Sequence, residues 1–273
     1  MQLQFSESET EQYYDHEDAV YRALWDKDGS VHWGLFEDGA NMTFLEAGAN
    51  LNKVMAERGQ LAADSNVIDV GCGSGTTAIA LCKAVGCQIT GVDLSGVRIA
   101  NAIDSLEEHP AEVREKVSFK KGSAADLPIE KETFDRAWSQ ATIYHVPDKV
   151  KVLEEVYRVL KHGGIFVFDD LIKPQPNISE KAVKFVYERL LFDTDFSFES
   201  YQVALKDAGF EVLEAEDISR HLKTSYLMLS DAASKGNEEH LERFAFLAEA
   251  YKETAAAVDN KELGWAMFVC RKK

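Results

Sequence analysis

The chain has 273 residues, 45% of them hydrophobic, with 47 acidic against 30 basic side chains and a net charge of −17. That length fits one large domain, and such a surface repels nucleic-acid phosphates and anionic lipid, which argues against a nucleic-acid substrate and against a membrane role. No apolar run reaches the roughly 18 residues of a membrane helix, and the opening MQLQFSESETEQ has neither a basic start nor an apolar core, so a cytoplasmic location is the expectation.

In chain order, residues 1–12 are polar and expected to be mobile. Residues 13–34 are dense in aromatics: Tyr13, Tyr14, Tyr21, Trp25 and Trp33. A short helix is expected around Tyr21 and Leu24, closed by a turn over 26–29. With His16 and His32, these aromatics form an N-terminal cap that either lines a pocket or packs on the core. Residues 43–58 read as a helix with Gly59 as its C-cap.

The stretch 67–75, VIDVGCGSG, then joins a short apolar strand to three glycines at alternate positions, Gly71, Gly73 and Gly75. A helix over 76–85 follows. Glycine lets the backbone turn sharply and lets a ligand approach, and the helix start behind it offers unpaired N–H groups. A dinucleotide fingerprint would need its third glycine where Thr76 stands. Asp93 closes a second strand over 88–93, where an acid can take both hydroxyls of a ribose. Loop and acid together point to an adenosine-type ligand. The four cysteines, Cys72, Cys82, Cys87 and Cys270, form no C-x-x-C pair and read as buried thiols. No metal site is expected.

Further helices are expected over 96–106, 148–160, 180–191 and 198–208, and strands over 117–121, 134–139, 165–169, 210–218 and 264–271. The segment 219–261 reads as one long helical piece. Strands alternating with helices imply a parallel sheet covered on both faces, with the ligand outside the carboxyl ends of the strands. The fold expected is α/β, a doubly wound, mostly parallel seven-stranded sheet. The division expected is a cap at 1–60, a cofactor-binding core at 61–170, lid segments at 171–197 and 219–262, and a last strand at 263–273.

VIDVGCGSG followed by GVDLS resembles the first two motifs of the class I S-adenosylmethionine-dependent methyltransferases. KGSAADLPI (121–129), FDRAWS (134–139) and RVLKHGGIFVFDD (158–170) continue the likeness in family order. The resemblance implies S-adenosyl-L-methionine as cofactor, held by Gly71, Gly73, Asp93, Leu94, Ser123, Ala124 and Ser139. Many members carry an acid where this chain has Ser123, and proline where it has His162. In the related phosphoethanolamine methyltransferases a cap tyrosine and a histidine after strand four latch over the sulfonium. By spacing these would be Tyr13 and His145, which are therefore the expected catalytic and cofactor-contacting pair. Whether His145 is a base or only a latch stays open.

Methyl transfer needs mainly alignment of nucleophile, carbon and sulfur. Tyr14, Tyr21, Trp25, His32, Trp33 and Gln140 are candidates for contact with the acceptor. Asp169 and Asp170, at the rim, could hold a cation or start a turn. The ends of the chain are similar to sarcosine and dimethylglycine N-methyltransferases, which implies a small amine acceptor and an aromatic cage for the quaternary ammonium product. The alternative is C- or O-methylation of an apolar natural product or quinol, with Phe185, Leu190, Phe244 and Leu247 as an apolar wall. A second alternative is a non-catalytic cofactor-binding protein on this scaffold. The partner expected is a small molecule, and the oligomeric state is monomer or homodimer.

Overall fold

The computed structural model describes residues 5–25, 32–191, 196–236 and 241–273, with the side chains of 17–23 outside the description. The elements are α1 (Glu7–Leu24), α2 (Phe44–Arg58), β1 (Asn66–Val70), α3 (Thr76–Val85), β2 (Gln88–Asp93), α4 (Gly96–Glu107), α5 (Ala111–Arg114), β3 (Val117–Lys121), β4 (Phe134–Gln140), α6 (Lys149–Val159), β5 (Leu160–Ile172), α7 (Glu180–Ala182), α8 (Phe198–Asp207), β6 (Phe210–Asp217), α9 (Ser219–Lys235), α10 (Leu241–Asp259) and β7 (Gly264–Lys272). A 3-10 turn, Ile143–His145, follows β4, and a π-helical stretch, Val183–Glu188, continues α7.

The seven strands form one sheet in the order β3-β2-β1-β4-β5-β7-β6. All neighbours are parallel except β7, which runs antiparallel to both β5 and β6. Chain order reverses between β1 and β4, and the crevice outside their carboxyl ends is where such sheets bind ligands. The sheet is covered on both faces. Leu51 and Met55 of α2 and Ala78 and Cys82 of α3 pack on one side, and Val152 and Val156 of α6 with Tyr201 and Leu205 of α8 on the other. Each fully buried Leu or Met contributes roughly 1.5–3 kcal/mol. Burial on both faces explains why β1 and the 165–168 part of β5 read as near-continuous apolar runs. Helix α2 starts where Thr43 and Glu46 make a reciprocal capping box.

Three expectations change. The polar opening is helical from Glu7, as the first part of the 18-residue α1, because its acids find partners across the sheet ends, described below. The 165–169 strand runs the whole length of Leu160–Ile172: His162 to Gly164 stay in β5, and the register against β4 shifts between Phe134 and Arg136. The 219–261 piece is two helices, α9 and α10, packed together. Among the described residues, no helix is long and apolar enough to cross a membrane.

Candidate functional site

A cavity lies over the carboxyl ends of β1 to β4. Its floor is the glycine loop. Gly71, Gly73 and Gly75 all have positive φ, +79°, +54° and +77°, so the alternate glycines serve one continuous turn. Gly71 is fixed by crowding from the protein itself: a Cβ there would run into the side chain of Thr142, in the loop after β4. A Cβ on Gly73 would meet only Arg98 Nη1, at 3.3 Å, so Gly73 presents bare backbone to the cavity.

Asp93, at the end of β2, ties this floor together. Gly73 N–H donates to its Oδ2 at 2.9 Å and Ser95 N–H to its Oδ1 at 2.9 Å. Burial raises its pKa, and the Arg98 guanidinium opposes the rise. Asp69, inside β1, also lines the cavity. Burial, with the Asp93 charge adding to it, lifts its pKa to about 7.

Helix α1 forms the roof. Glu7, Thr10, Glu11 and Tyr14 line the cavity, and Asp15 lies on the same helical face. Each acid of the face reaches a strand end. Ser123 Oγ donates to Glu7 Oε1 at 2.5 Å, Lys121 Nζ to Glu11 Oε1 at 2.6 Å, and Ser95 Oγ to Asp15 Oδ1 at 2.5 Å. Tyr14 Oη lies 2.5 Å from His145 Nε2, and the Arg98 guanidinium sits 4.1 Å above the Tyr14 ring.

His145, on the 3-10 turn, is 6% exposed. Burial pushes its pKa down to about 3, and the neighbouring Lys149 and Arg98 cations add to that. The imidazole is therefore neutral at ordinary pH. Nε2 shares a hydrogen bond with Tyr14 Oη, and Nδ1 is buried with no hydrogen-bond partner among the described residues.

The tyrosine meeting His145 is Tyr14 rather than the expected Tyr13, whose ring packs edge-on against Tyr14 at 5.3 Å. Consecutive helical residues point about 100° apart, and only one can face the turn. Of the other expected residues, Gly71, Gly73, Asp93, Leu94, Ala124, His32 and Gln140 line the cavity. Ser123 stands at its edge, bonded to Glu7, and Ala125 N–H donates to its Oγ at 3.0 Å. Ser139 faces the sheet interior, fully buried, donating to the Val70 carbonyl at 2.8 Å.

Trp25 and Trp33 are core residues, 6% and 2% exposed. Trp25 Nε1 donates to Tyr251 Oη at 2.9 Å, and Trp33 packs on Trp265, Tyr226 and Tyr144. Indole surface of that size is worth most when fully buried, which is why the two rings go inward. The side chain of Tyr21 lies outside the described residues. Asp169 and Asp170 are fully buried. Trp265 Nε1 donates to Asp169, and Tyr144 N–H and Tyr201 Oη donate to Asp170, so the pair anchors β4, β5 and β7 rather than forming a rim. Among the described residues, no lining comes from 171–197 or 219–262; Phe185, Leu190, Phe244 and Leu247 are buried among the helices. Nor is any group of three or more His, Cys, Asp or Glu among them placed to hold a metal.

The sequence reading missed Glu7, Thr10, Glu11 and Asp69. The spacing of Glu7, Glu11, Tyr14 and Asp15, one face of a helix, was the available signal.

A strand-end acid beside bare glycine backbone, with a neutral histidine at the far end, defines a nucleoside-binding α/β enzyme. Residues 68–168 match the methyltransferase-domain family. The chain is 30% identical to the sarcosine/dimethylglycine N-methyltransferase of Halorhodospira halochloris, over 79% of this chain and 76% of that one. It is 29% identical to the (+)-O-methylkolavelool synthase of Herpetosiphon aurantiacus, over 78% of this chain and 74% of that one. The fold is also that of the cyclopropane synthase MmaA2 of Mycobacterium tuberculosis, with a TM-score of 0.87 at 15% identity, covering 99% of each chain. The chain belongs to the class I S-adenosylmethionine-dependent methyltransferases, and S-adenosylmethionine is its cofactor. The residues present fit that group. Ser74 Oγ lines the cavity, buried and with no hydrogen-bond partner among the described residues, so a ligand has a polar atom to satisfy.

Proposed function

We propose that this chain methylates the neutral nitrogen of a small amine of the sarcosine or dimethylglycine kind. The observation that carries the reading is the Tyr14–His145 pair. One imidazole nitrogen is engaged by Tyr14, the other is buried away from the cavity solvent, and burial holds the ring far below the pKa of a working base. A site without a poised base suits an acceptor that is nucleophilic as it arrives. A tertiary amine that binds in its neutral form has no further proton to lose.

S-adenosylmethionine, when bound, supplies a methyl already activated by its sulfonium. The chain's own residues bind and align. Asp93 would hold the ribose diol, Gly73 would let the backbone approach, and Ser74 would gain a partner. Tyr14, fixed by His145 and backed by Arg98, would close the reacting end against water. Transfer of that methyl to the nitrogen lone pair, with the sulfur keeping the electrons of the broken bond, would leave a cationic product in the cavity. Asp69, whose carboxyl sits near pKa 7 in the same cavity, would offset that charge. Among the described residues, the Tyr14 ring is an aromatic contact available to the product cation, since Trp25 and Trp33 pack in the core.

The reading against an apolar acceptor draws on Phe185, Leu190, Phe244 and Leu247, none of which lines the cavity. The test is to offer sarcosine, dimethylglycine, a phenol and a prenyl-quinol with methyl-labelled cofactor. Label in glycine betaine supports the amine; label only in the phenol or quinol products overturns it.

A further inference from the structure

We propose that Glu7, on the N-terminal helix, accepts the amino group of the cofactor's adenine, so that closure of α1 reads the identity of the base. The proposal depends on the cofactor and not on the acceptor. It starts from the length of the cavity. Asp93 stands at its middle, at the end of β2. His145, Thr142 and Gln140 crowd the β4 end, where the reacting carbon must meet an acceptor. A nucleoside whose ribose sits on Asp93 then extends its base the other way, toward Gly122 and Ala124 at the end of β3.

The polar side chains lining the cavity toward that end come from α1. Thr10 Oγ1 is turned back to the Ser6 carbonyl at 3.4 Å, and Glu11 is engaged by Lys121. Glu7 remains. One of its oxygens takes the Ser123 hydroxyl at 2.5 Å, and the other, Oε2, has no hydrogen-bond partner among the described residues. Ser123 in turn accepts from Ala125 N–H, so the serine is spent on holding the carboxylate and its own loop. A carboxylate only accepts, and the 6-position of adenine only donates. A base with an oxo group there would set oxygen against oxygen. Through Glu7, the helix that also carries Tyr14 touches both ends of the ligand. Correct base and closed reaction end are then properties of one rigid element.

The measurement is calorimetric binding of S-adenosyl-L-homocysteine and of its deaminated 6-oxo analogue, S-inosyl-L-homocysteine, to the wild-type chain, Glu7→Gln and Ser123→Ala. An amide is close in size to the carboxylate but can donate to an oxo group. The wild type should prefer the amino base by about tenfold or more, the worth of one charge-assisted hydrogen bond. In Glu7→Gln the preference should fall to within about threefold, by weaker binding of the adenine form and stronger binding of the oxo form. Ser123→Ala should keep most of it. A wild type indifferent to the base, a Glu7→Gln variant with the wild-type preference, or equal loss in both variants would overturn the proposal. Failure of the amine assay would leave these results untouched.

Discussion

Tyr14 and His145, 131 residues apart in sequence, lie with Oη 2.5 Å from Nε2 and their rings crossed at 87°. The contact joins the roof of the cavity to the turn after β4. If it is one device, Tyr14→Phe and His145→Ala should each lower kcat about tenfold or more, with a far smaller change in cofactor Kd. The double variant should be little worse than the worse single, because coupled residues are not additive. Tyr13→Phe serves as the control and should retain most activity. Strict additivity in the kcat cycle would mean that the two side chains act separately.

Asp93 bears two backbone N–H donors and faces the cavity. Asp93→Ala should weaken S-adenosylhomocysteine binding by about tenfold or more, given roughly 1.5–3 kcal/mol for each charge-assisted hydrogen bond. Part of that loss should come from the glycine loop, which gives up the anchor at Gly73. Calorimetry reads the affinity, and an unchanged Kd would take Asp93 out of the binding site.

Gly71 is confined twice, by a φ of +79° and by the Thr142 side chain against any Cβ. Gly71→Ala should lower stability by at least about 1 kcal/mol in chemical denaturation. Adding Thr142→Gly removes the clash but not the backbone strain, so the double variant should recover only part. Full recovery would show that crowding alone requires the glycine.

Asp169 is buried without a counter-charge, and its carboxyl is pushed up from 3.8 to about 8 by burial, with Trp265 Nε1 opposing. The folded pKa lies above the unfolded one, so the native chain holds a proton that the unfolded chain releases. Stability must then fall as pH rises from about 4 to 8. Asp69 acts in the same direction, lifted to about 7. His145 acts oppositely, costing stability as pH falls below 6.5 toward 3, so the window from 6.5 to 8 isolates the acids. Asp169→Asn should flatten the decline in Tm across that window. Parallel curves for the variant and the wild type would refute the assignment.

The sequence by itself determined the parts that are local. VIDVGCGSG specifies a strand, a turn that only glycine enters freely and a helix start, all within a few residues. Asp93 was legible because it ends the next strand, and neighbouring parallel strands bring their ends together. The alternation of strands and helices carried the sheet in the same way. What only the tertiary structure decided were the contacts across long separations. Whether Tyr13 or Tyr14 reaches His145 depends on the rotation of α1 about its axis, which is set by acids bonding to Ser95, Lys121 and Ser123. Whether Trp25 and Trp33 line a pocket or fill a core depends on Tyr226, Tyr251 and Trp265, about 200 residues or more further on. Residue type alone left both outcomes open. An aromatic ring gains free energy in either place, and which neighbours it meets is fixed only when the helices dock.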